Sequence, residues 1–365
     1  MEIHGDRPYG SYNFRETHFE NELEDRDGGT RATLEAARCL LGKIYLYQEK
    51  YADAKSELEK VISSGKYDLI ADVSTFYHPA SAGCKEYVLE CVRHYDPSNM
   101  YSQEGWFGIL ANWGFGYGFI AGPEASMHYK FNTTSGYSYF NPSKSLYDAF
   151  VAEEGADGYR LNAWIRTWEQ VIAMNIAVNT TTNKYASEGY FRLKWLASTD
   201  DEFVGYWCGN QSNTPVIRYA DVLLMAAEAC LQAGDQAGAD EYLGRVRDRA
   251  RLPRKSHVTL SDIKLERRLE LAMEGMRFQD LKRWGDAPAV LADKGKKLPT
   301  FQIVPDPNND LTTAAGIYNA RYTTKTTYVD NEKSLAGWTP NRDEWLPFPE
   351  NELEVNSNLK QNPGY

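Results

Sequence analysis

Small alanines set among large apolar residues at helical spacing recur in two distant stretches, and they constrain the fold more than any other feature. In the first, Ala37, Leu41, Ile44 and Tyr45 fall on one helix face. A break follows at Gln48-Glu49-Lys50. Then Tyr51, Ala54, Leu58, Val61 and Ile62 mark a second amphipathic helix. Thr30 stands where an N-cap is expected, and Gly65 where a left-handed C-cap is needed. Two helices with so short a link form an antiparallel hairpin. The alanines let the two backbones approach, and the larger side chains fill the space between them.

The second stretch repeats this. Tyr219, Val222, Leu223, Ala226, Ala229 and Cys230 form one stripe, and Ala239, Leu243, Val246 and Ala250 the next. Gly234-Asp235 breaks the two, with Asp235 as N-cap, and Pro253 closes the pair. A third helical stretch is predicted over Leu265–Trp284, with Thr259 or Ser261 near its start and Leu269, Ala272, Met273 and Met276 on its apolar face. Leu41-Gly42 with Tyr45, then Tyr51 and Ala54, has the look of a tetratricopeptide hairpin. Neighbouring repeats normally cover each other, yet roughly 150 residues separate these two. The intervening chain must pack on the helical scaffold or form its own lobe. It carries at least one further predicted helix, near Lys144–Val151. After Trp284 the chain reads as loop, with Pro299, Pro305, Pro307, Pro340, Pro347, Pro349 and Pro363, and its many aromatics point to close packing.

Composition excludes several classes. Mean hydropathy is −0.58, and no apolar run reaches the length of a membrane-spanning helix. The net charge of −11 with no basic stripe opposes a nucleic-acid partner and suits a neutral ligand. The start, MEIHGDRPYGSYNF, lacks the basic and apolar regions of a signal peptide. Of the five cysteines, Cys39 and Cys230 read as small core residues, a Cys84–Cys91 bridge is left open, and Cys208 completes the set.

Four segments, in order, resemble the SusD/RagB family. They are RATLEAARCLLGKIYLYQEKYADAKSELEKVISSGKY (31–67), PVIRYADVLLMAAEACLQAGDQAGADEYLGRVRDRARL (215–252), ERRLELAMEGMRFQDLKRW (266–284) and the chain end WLPFPENELEVNSNLKQNPGY. The resemblance covers about residues 31–365, with a variable middle. It implies a mainly α fold. Discontinuous tetratricopeptide-like hairpins would form a scaffold, and a loop-rich middle lobe would complete one domain over 1–365. Within it, 30–67 is the first hairpin, 68–214 the variable lobe with the ligand site, 215–284 the second hairpin and its following helix, and 285–365 the loop-rich end. The resemblance also implies a non-enzymatic surface lipoprotein of the outer membrane, without cofactor. Such a protein captures an oligosaccharide or other nutrient for a SusC-like TonB-dependent transporter, above which it sits as a lid. Family members carry a signal peptide, an acylated cysteine and a sizeable region before the first motif. None of these is found in this sequence, so the native gene is expected to encode them upstream.

The candidate ligand site is QEGWFGILANWGFGYGF (103–119). Trp106, Trp113, Phe115 and Tyr117 alternate there with Gly105, Gly108, Gly114, Gly116 and Gly118. Glycines remove side-chain cover, so rings between them can stand as flat platforms for the C–H faces of sugars. The other reading is an aromatic loop packed into the protein. Tyr137 and Tyr139 alternate as on one face of an extended segment and border the same site, or else form a buried edge. Trp164, Trp168, Trp195 and Trp207 read as packing residues. Glu270, Glu274, Arg277, Asp280 and Arg283 read as helix charges that fix tertiary contacts.

Catalytic signals are sparse. A glycosidase needs two carboxylates facing across a cleft. Glu153, Glu154, Asp157, Asp200, Asp201 and Glu202 supply candidates, but they sit in runs that read as solvated loops. His4, His18, His78, His94, His128 and His257 are scattered, and no zinc, nucleophile-elbow or phosphate-loop motif occurs. Neither a metal nor a catalytic set is assigned. The alternatives to nutrient capture are a helical-repeat protein-interaction scaffold and a helical-toroid glycoside hydrolase.

Overall fold

The computed structural model describes residues 32–77, 81–92, 119–120, 141–167, 169–170, 177–178, 184–185, 187–194, 213–308, 322–332 and 336–365. Its helices are α1 (Leu34–Tyr47), α2 (Tyr51–Ser63), α3 (Lys144–Glu154), α4 (Tyr159–Trp164), α5 (Tyr219–Gln232), α6 (Gln236–Arg249), α7 (Leu260–Glu270), α8 (Arg277–Arg283), α9 (Ala287–Val290) and α10 (Glu350–Val355). Its strands are β1 (Tyr87–Cys91), β2 (Phe119–Ile120), β3 (Ile165–Thr167), β4 (Ala177–Val178), β5 (Lys184–Tyr185), β6 (Tyr190–Arg192), β7 (Thr214–Arg218), β8 (Lys297–Pro305) and β9 (Tyr322–Asp330). The mainly helical fold class expected from the sequence is what forms. No described helix is long and apolar enough to cross a membrane.

The chain forms two compact units, one from residues up to 109 together with 200–270, the other from 110–199 and 271–365. The first unit holds both hairpins. Thr33, not Thr30, caps α1: its hydroxyl accepts the Ala36 N–H at 3.1 Å, and Thr30 lies outside the described residues. The turn between α1 and α2 falls at 48–50, and Gly65 is left-handed at φ +66°. Gly42 marks the closest approach. A Cβ there would stand 2.7 Å from Leu58 and 3.5 Å from the Ala54 carbonyl. Helix α5 is buried without a break from Tyr219 to Cys230, all round its circumference, so it is the central helix of this unit. It packs against α2, α6 and α7. Asp235 caps α6 through the Gly238 N–H, as its position predicts. Cys39 and Cys230 are buried core thiols. Cys84 and Cys91 are free, so the bridge left open by the sequence is not formed. Strand β1 pairs antiparallel with β7, which runs directly into α5.

The helix predicted over Leu265–Trp284 is two helices. It begins earlier, at Leu260, behind a capping box in which Thr259 and Asp262 exchange bonds. It stops at Glu270, because Met273 (φ +64°) and Gly275 (φ +80°) turn left-handed before α8. The apolar spacing continues through this turn and hides it.

In the second unit, α3 starts at its Ser143 cap, and the short α4 follows it. Strand β3 pairs with β6 and β2 with β4. The segment after Trp284 is not all loop. Strands β8 and β9 pair antiparallel over nine residues, from Lys297↔Asp330 to Pro305↔Tyr322. Two prolines within one strand argue against a sheet interior. Here β5 pairs with β8 only at Thr300 and Phe301, so Pro299 and Pro305 face no donor demand from β5. Gly189 (φ +88°) lets the buried Phe301 ring approach: a Cβ there would lie 2.5 Å from the ring.

Candidate functional site

Trp106, Trp113, Phe115, Tyr117, Tyr137 and Tyr139 lie outside the described residues, as do Trp168, Trp195, Trp207 and Asp200–Glu202. The second unit does describe residues on both sides of these segments. Phe119 and Ile120 are tied to Val178 and Ala177 in the β2–β4 pair. The chain after Tyr139 runs into α3, whose first turn is held twice, by the Ser143 hydroxyl on Leu146 N and by the Glu188 carboxylate on Lys144 N.

Around that helix start the fold gathers a cluster of aromatic and charged groups. Tyr147 of α3 stacks on Tyr190 of β6, with centroids 4.5 Å apart and planes at 26°. Both rings are half-buried. Glu188 accepts the Tyr328 hydroxyl at 2.7 Å, and the Lys144 ammonium holds Asp148 at 2.6 Å. The bond to Glu188 pushes the Tyr328 phenol up to about 12, and burial pushes Tyr190 up. Both phenols stay protonated at neutral pH, and the Tyr328 proton is committed to Glu188. The sequence did not single out these residues. Glu188 meets partners 44 and 140 positions away, and no local pattern announces such pairs.

Trp164 packs, as expected. It meets Phe150 edge-on at 6.3 Å, and the Lys194 ammonium lies 3.8 Å over its ring. That ammonium is also bound by Glu274 at 2.5 Å and by the Ala272 carbonyl at 3.1 Å. Glu154 is not in a solvated loop. Its side chain is buried, bonded to Arg160 Nε at 2.7 Å and to the N–H groups of Arg160 and Leu161, so it fixes the start of α4. Asp157 is exposed, as a loop residue should be.

The first unit buries a four-charge cluster. Glu86 takes Arg218 Nη1 at 2.5 Å, Arg249 Nη1 at 3.0 Å and the Ile70 N–H at 2.8 Å. Glu270 takes Arg218 Nη2 at 3.0 Å and a second nitrogen of Arg249. Phe76 lies flat beneath both guanidiniums, 4.6 and 5.3 Å from them. Two carboxylates against two guanidiniums balance to zero, and the cluster joins the chain entering β1, the end of β7, and the ends of α6 and α7. Burial pushes the Glu86 carboxyl up against the pull of Arg249 and Arg218. Arg247–Glu266 at 3.0 Å and Arg267–Asp221 at 2.7 Å extend the pattern. These charges are committed to one another, and Glu270 fixes a tertiary contact as its helix-charge reading expected. Asp280 pairs with Arg283 at 2.9 Å in α8.

An open groove beside α2 brings Glu59, Cys230 and Asp235 within 4.8 Å of one another. It carries its own cation. Lys55 Nζ lies 3.1 Å from Asp235 and 3.6 Å from Glu59, and the Tyr242 hydroxyl donates to Glu59 at 3.0 Å. Burial and then Glu59 push the Cys230 thiol up to about 12, so it is protonated at neutral pH.

With this geometry in place, known proteins supply the comparison. The sequence pattern of the SusD family matches residues 85–365. The chain is 26% identical over 362 residues to a SusD-like protein P2 of Formosa agariphila, covering 90% of this chain and 59% of that one. It is 31% identical over 170 residues to a SusD-like protein of Bacteroides ovatus, spanning 29% of its length. The chain thus spans less than two thirds of these relatives. Among solved structures it is similar to a laminarin binding SusD-like protein, with TM-score 0.69 and 26% identity, over 96% of this chain and 68% of the other. It is equally similar to surface glycan-binding protein A from Bacteroides thetaiotaomicron in complex with laminarihexaose, with TM-score 0.69 and 25% identity, over 95% and 69%.

Proposed function

This chain belongs to the SusD family, and on that premise we propose that it captures a neutral glycan at the cell surface without breaking any bond in it. The observation that carries this reading is the structural likeness, across nearly the whole chain, to proteins whose names and complexes specify laminarin and laminarihexaose. Residues 68–214 supply the ligand site within a single functional domain over 1–365. Trp106, Trp113, Phe115 and Tyr117 stack on sugar C–H faces, and Tyr137 and Tyr139 border them. The Tyr147–Tyr190 stack and Glu188 support the neighbouring chain. The captured glycan passes to a SusC-like TonB-dependent transporter, with the protein held at the outer membrane as a lipoprotein. No cofactor takes part. Glu86 and Glu270 of the first unit support binding without hydrolysis, because both are already neutralised by arginine.

The experiment is a titration of the protein with laminarihexaose and other neutral hexasaccharides, paired with an assay for new reducing ends. Trp106→Ala, Trp113→Ala and Tyr117→Ala are measured for binding and melting. At least one should lose about 2 kcal/mol of binding with near-native melting. Early melting in all three would make these rings core. Steady release of reducing ends, abolished by changing one acidic residue, would overturn the non-catalytic reading.

A further inference from the structure

Helix α1 is apolar on two opposite faces. Ala36, Cys39, Gly42 and Leu46 are buried on one, with Gly42 against Leu58 and Ala54 of α2. On the other, Leu40, Leu41 and Ile44 stand three, four and seven positions on from Ala37. Leu40 is 45% exposed and Ile44 48%, and Ala37 and Leu41 are half-buried. A helix that is apolar all round is normally buried all round, as α5 of the same unit is. Among the described helices α1 packs on α2, α2 on α5 and α5 on α6, so α1 stands at the end of the row. The end of such a stack is where a cap with a polar outer face belongs.

The chain ahead of α1 has what a cap needs. Residues 1–31 run directly into this helix, and they lie ahead of the family pattern, which begins at residue 85. Gly28-Gly29 is a helix breaker. Five residues separate Asp27 from the Thr33 cap, a connection that suits antiparallel helices. Before the glycines, Tyr12, Phe19 and Leu23 are spaced seven and four apart, which is one face of a helix. Folding 12–27 back along α1 about Gly28-Gly29 sets Leu23 opposite Ala37, a large side chain over a small one. It sets Phe19 opposite Leu40 and Leu41, and brings Ile44 between Tyr12 and Phe19. Glu16, between those two rings on the same face, then falls beside Tyr45, where the Lys50 ammonium stands 5.8 Å from the ring centroid.

We propose that residues 12–27 are the cap of the helical stack, an amphipathic helix laid antiparallel on the outer face of α1. A second copy fits the face less well. Four aliphatic side chains cover far less than the roughly 1,200–2,000 Å² of a stable interface between chains. Two chains of net charge −11 also repel each other, whereas a tethered segment meets the face at about millimolar effective concentration. The proposal owes nothing to the glycan reading.

The test replaces Ile44 of the full chain with the photo-cross-linking residue p-benzoylphenylalanine, which its exposure accommodates. Equal parts of nitrogen-15-labelled and unlabelled protein are mixed, irradiated and digested with trypsin, and the joined peptides are identified by mass. Position 44 should join the peptide of residues 16–26 from its own chain, with no mixed-isotope product. The same peptide should be captured from a label at Leu40. Phe19→Asp with Leu23→Asp should cut the yield by about tenfold or more, because both apolar contacts are lost. Tyr9→Asp should leave it unchanged. A mixed-isotope product would put a second copy on the face and overturn the proposal. Capture of other segments alone, no capture from either label, or a yield indifferent to the two aspartates would overturn it as well.

Discussion

Glu86 is the residue on which most buried charge converges. It is fully buried, it faces Arg218 and Arg249, and its second oxygen also holds the Ile70 N–H. Taking charges out of water costs several kcal/mol per ion, and their mutual attraction offsets this only while the set is complete. Glu86→Gln leaves two guanidiniums sharing Glu270 alone. The expected loss is about 3–5 kcal/mol, read from urea unfolding midpoints. Arg254→Ala makes the contrast. Arg254 also has two carboxylate partners, Asp248 and Glu241, but it is largely exposed, so its removal should cost at most about 1 kcal/mol. Equal losses in the two variants would show that completeness of the buried set is not what matters. None of this was legible in the sequence. Arg218 and Glu86 stand 132 positions apart, and nothing in the local pattern around either names the other. The sequence did show, rightly, that Glu270 and Glu274 serve tertiary contacts. It could not say with whom.

At the scale of elements, α7 offers a defined acid limb. Thr259 and Asp262 form its capping box, and Lys255 binds Asp262 at 2.9 Å. Partial burial pushes the Asp262 carboxyl up, but the Thr259 hydroxyl, Lys255 and the Thr259 N–H outweigh it and hold the group at about 2. The folded value lies below the unfolded one, so the folded state favours the ionised form. Its stabilisation is complete above about pH 4 and is lost as pH falls towards about 2. Asp262→Asn should therefore be less stable than wild type at pH 6, by about 1 kcal/mol. That gap should shrink to about a third by pH 2.5. A gap that stays constant between these two values would mean that the carboxylate charge is not what the cap uses. The elements themselves were partly legible. Alanine stripes revealed both hairpins, because close helix packing needs small residues at fixed spacing. The break after Glu270 was hidden, because Ala272, Met273 and Met276 keep helical spacing through a left-handed turn at Met273 and Gly275. The β8–β9 pair was hidden by Pro299 and Pro305, whose place in the strand depends on how little of β8 the short β5 covers. The candidate rings of 103–139 were legible only as a composition, alternating glycine and aromatic. Which way each ring faces is decided by contacts that no spacing encodes.

For the whole molecule, the net charge of −11 bears on what it can hold. Such a field acts at long range on charged ligands and not on neutral ones, and it is screened over about 10 Å at 0.1 M salt. Among the described residues the buried charges are largely paired, and carboxylates such as Glu350 and Glu352 are exposed. A neutral hexasaccharide that binds by ring stacking and hydroxyl hydrogen bonds should then show almost the same affinity at 50 mM and 500 mM sodium chloride. A sulfated or uronate-rich polysaccharide should bind poorly at low salt, and any binding should strengthen as salt rises. Titrating one neutral and one anionic glucan across that range separates the two. Loss of neutral-sugar affinity with rising salt would place a charged group at the centre of recognition, with Lys282 or Lys144 the first to replace by methionine. A salt-independent neutral ligand would leave the stacking rings as the source of affinity, and the acidic surface as the means by which anionic polymers are turned away.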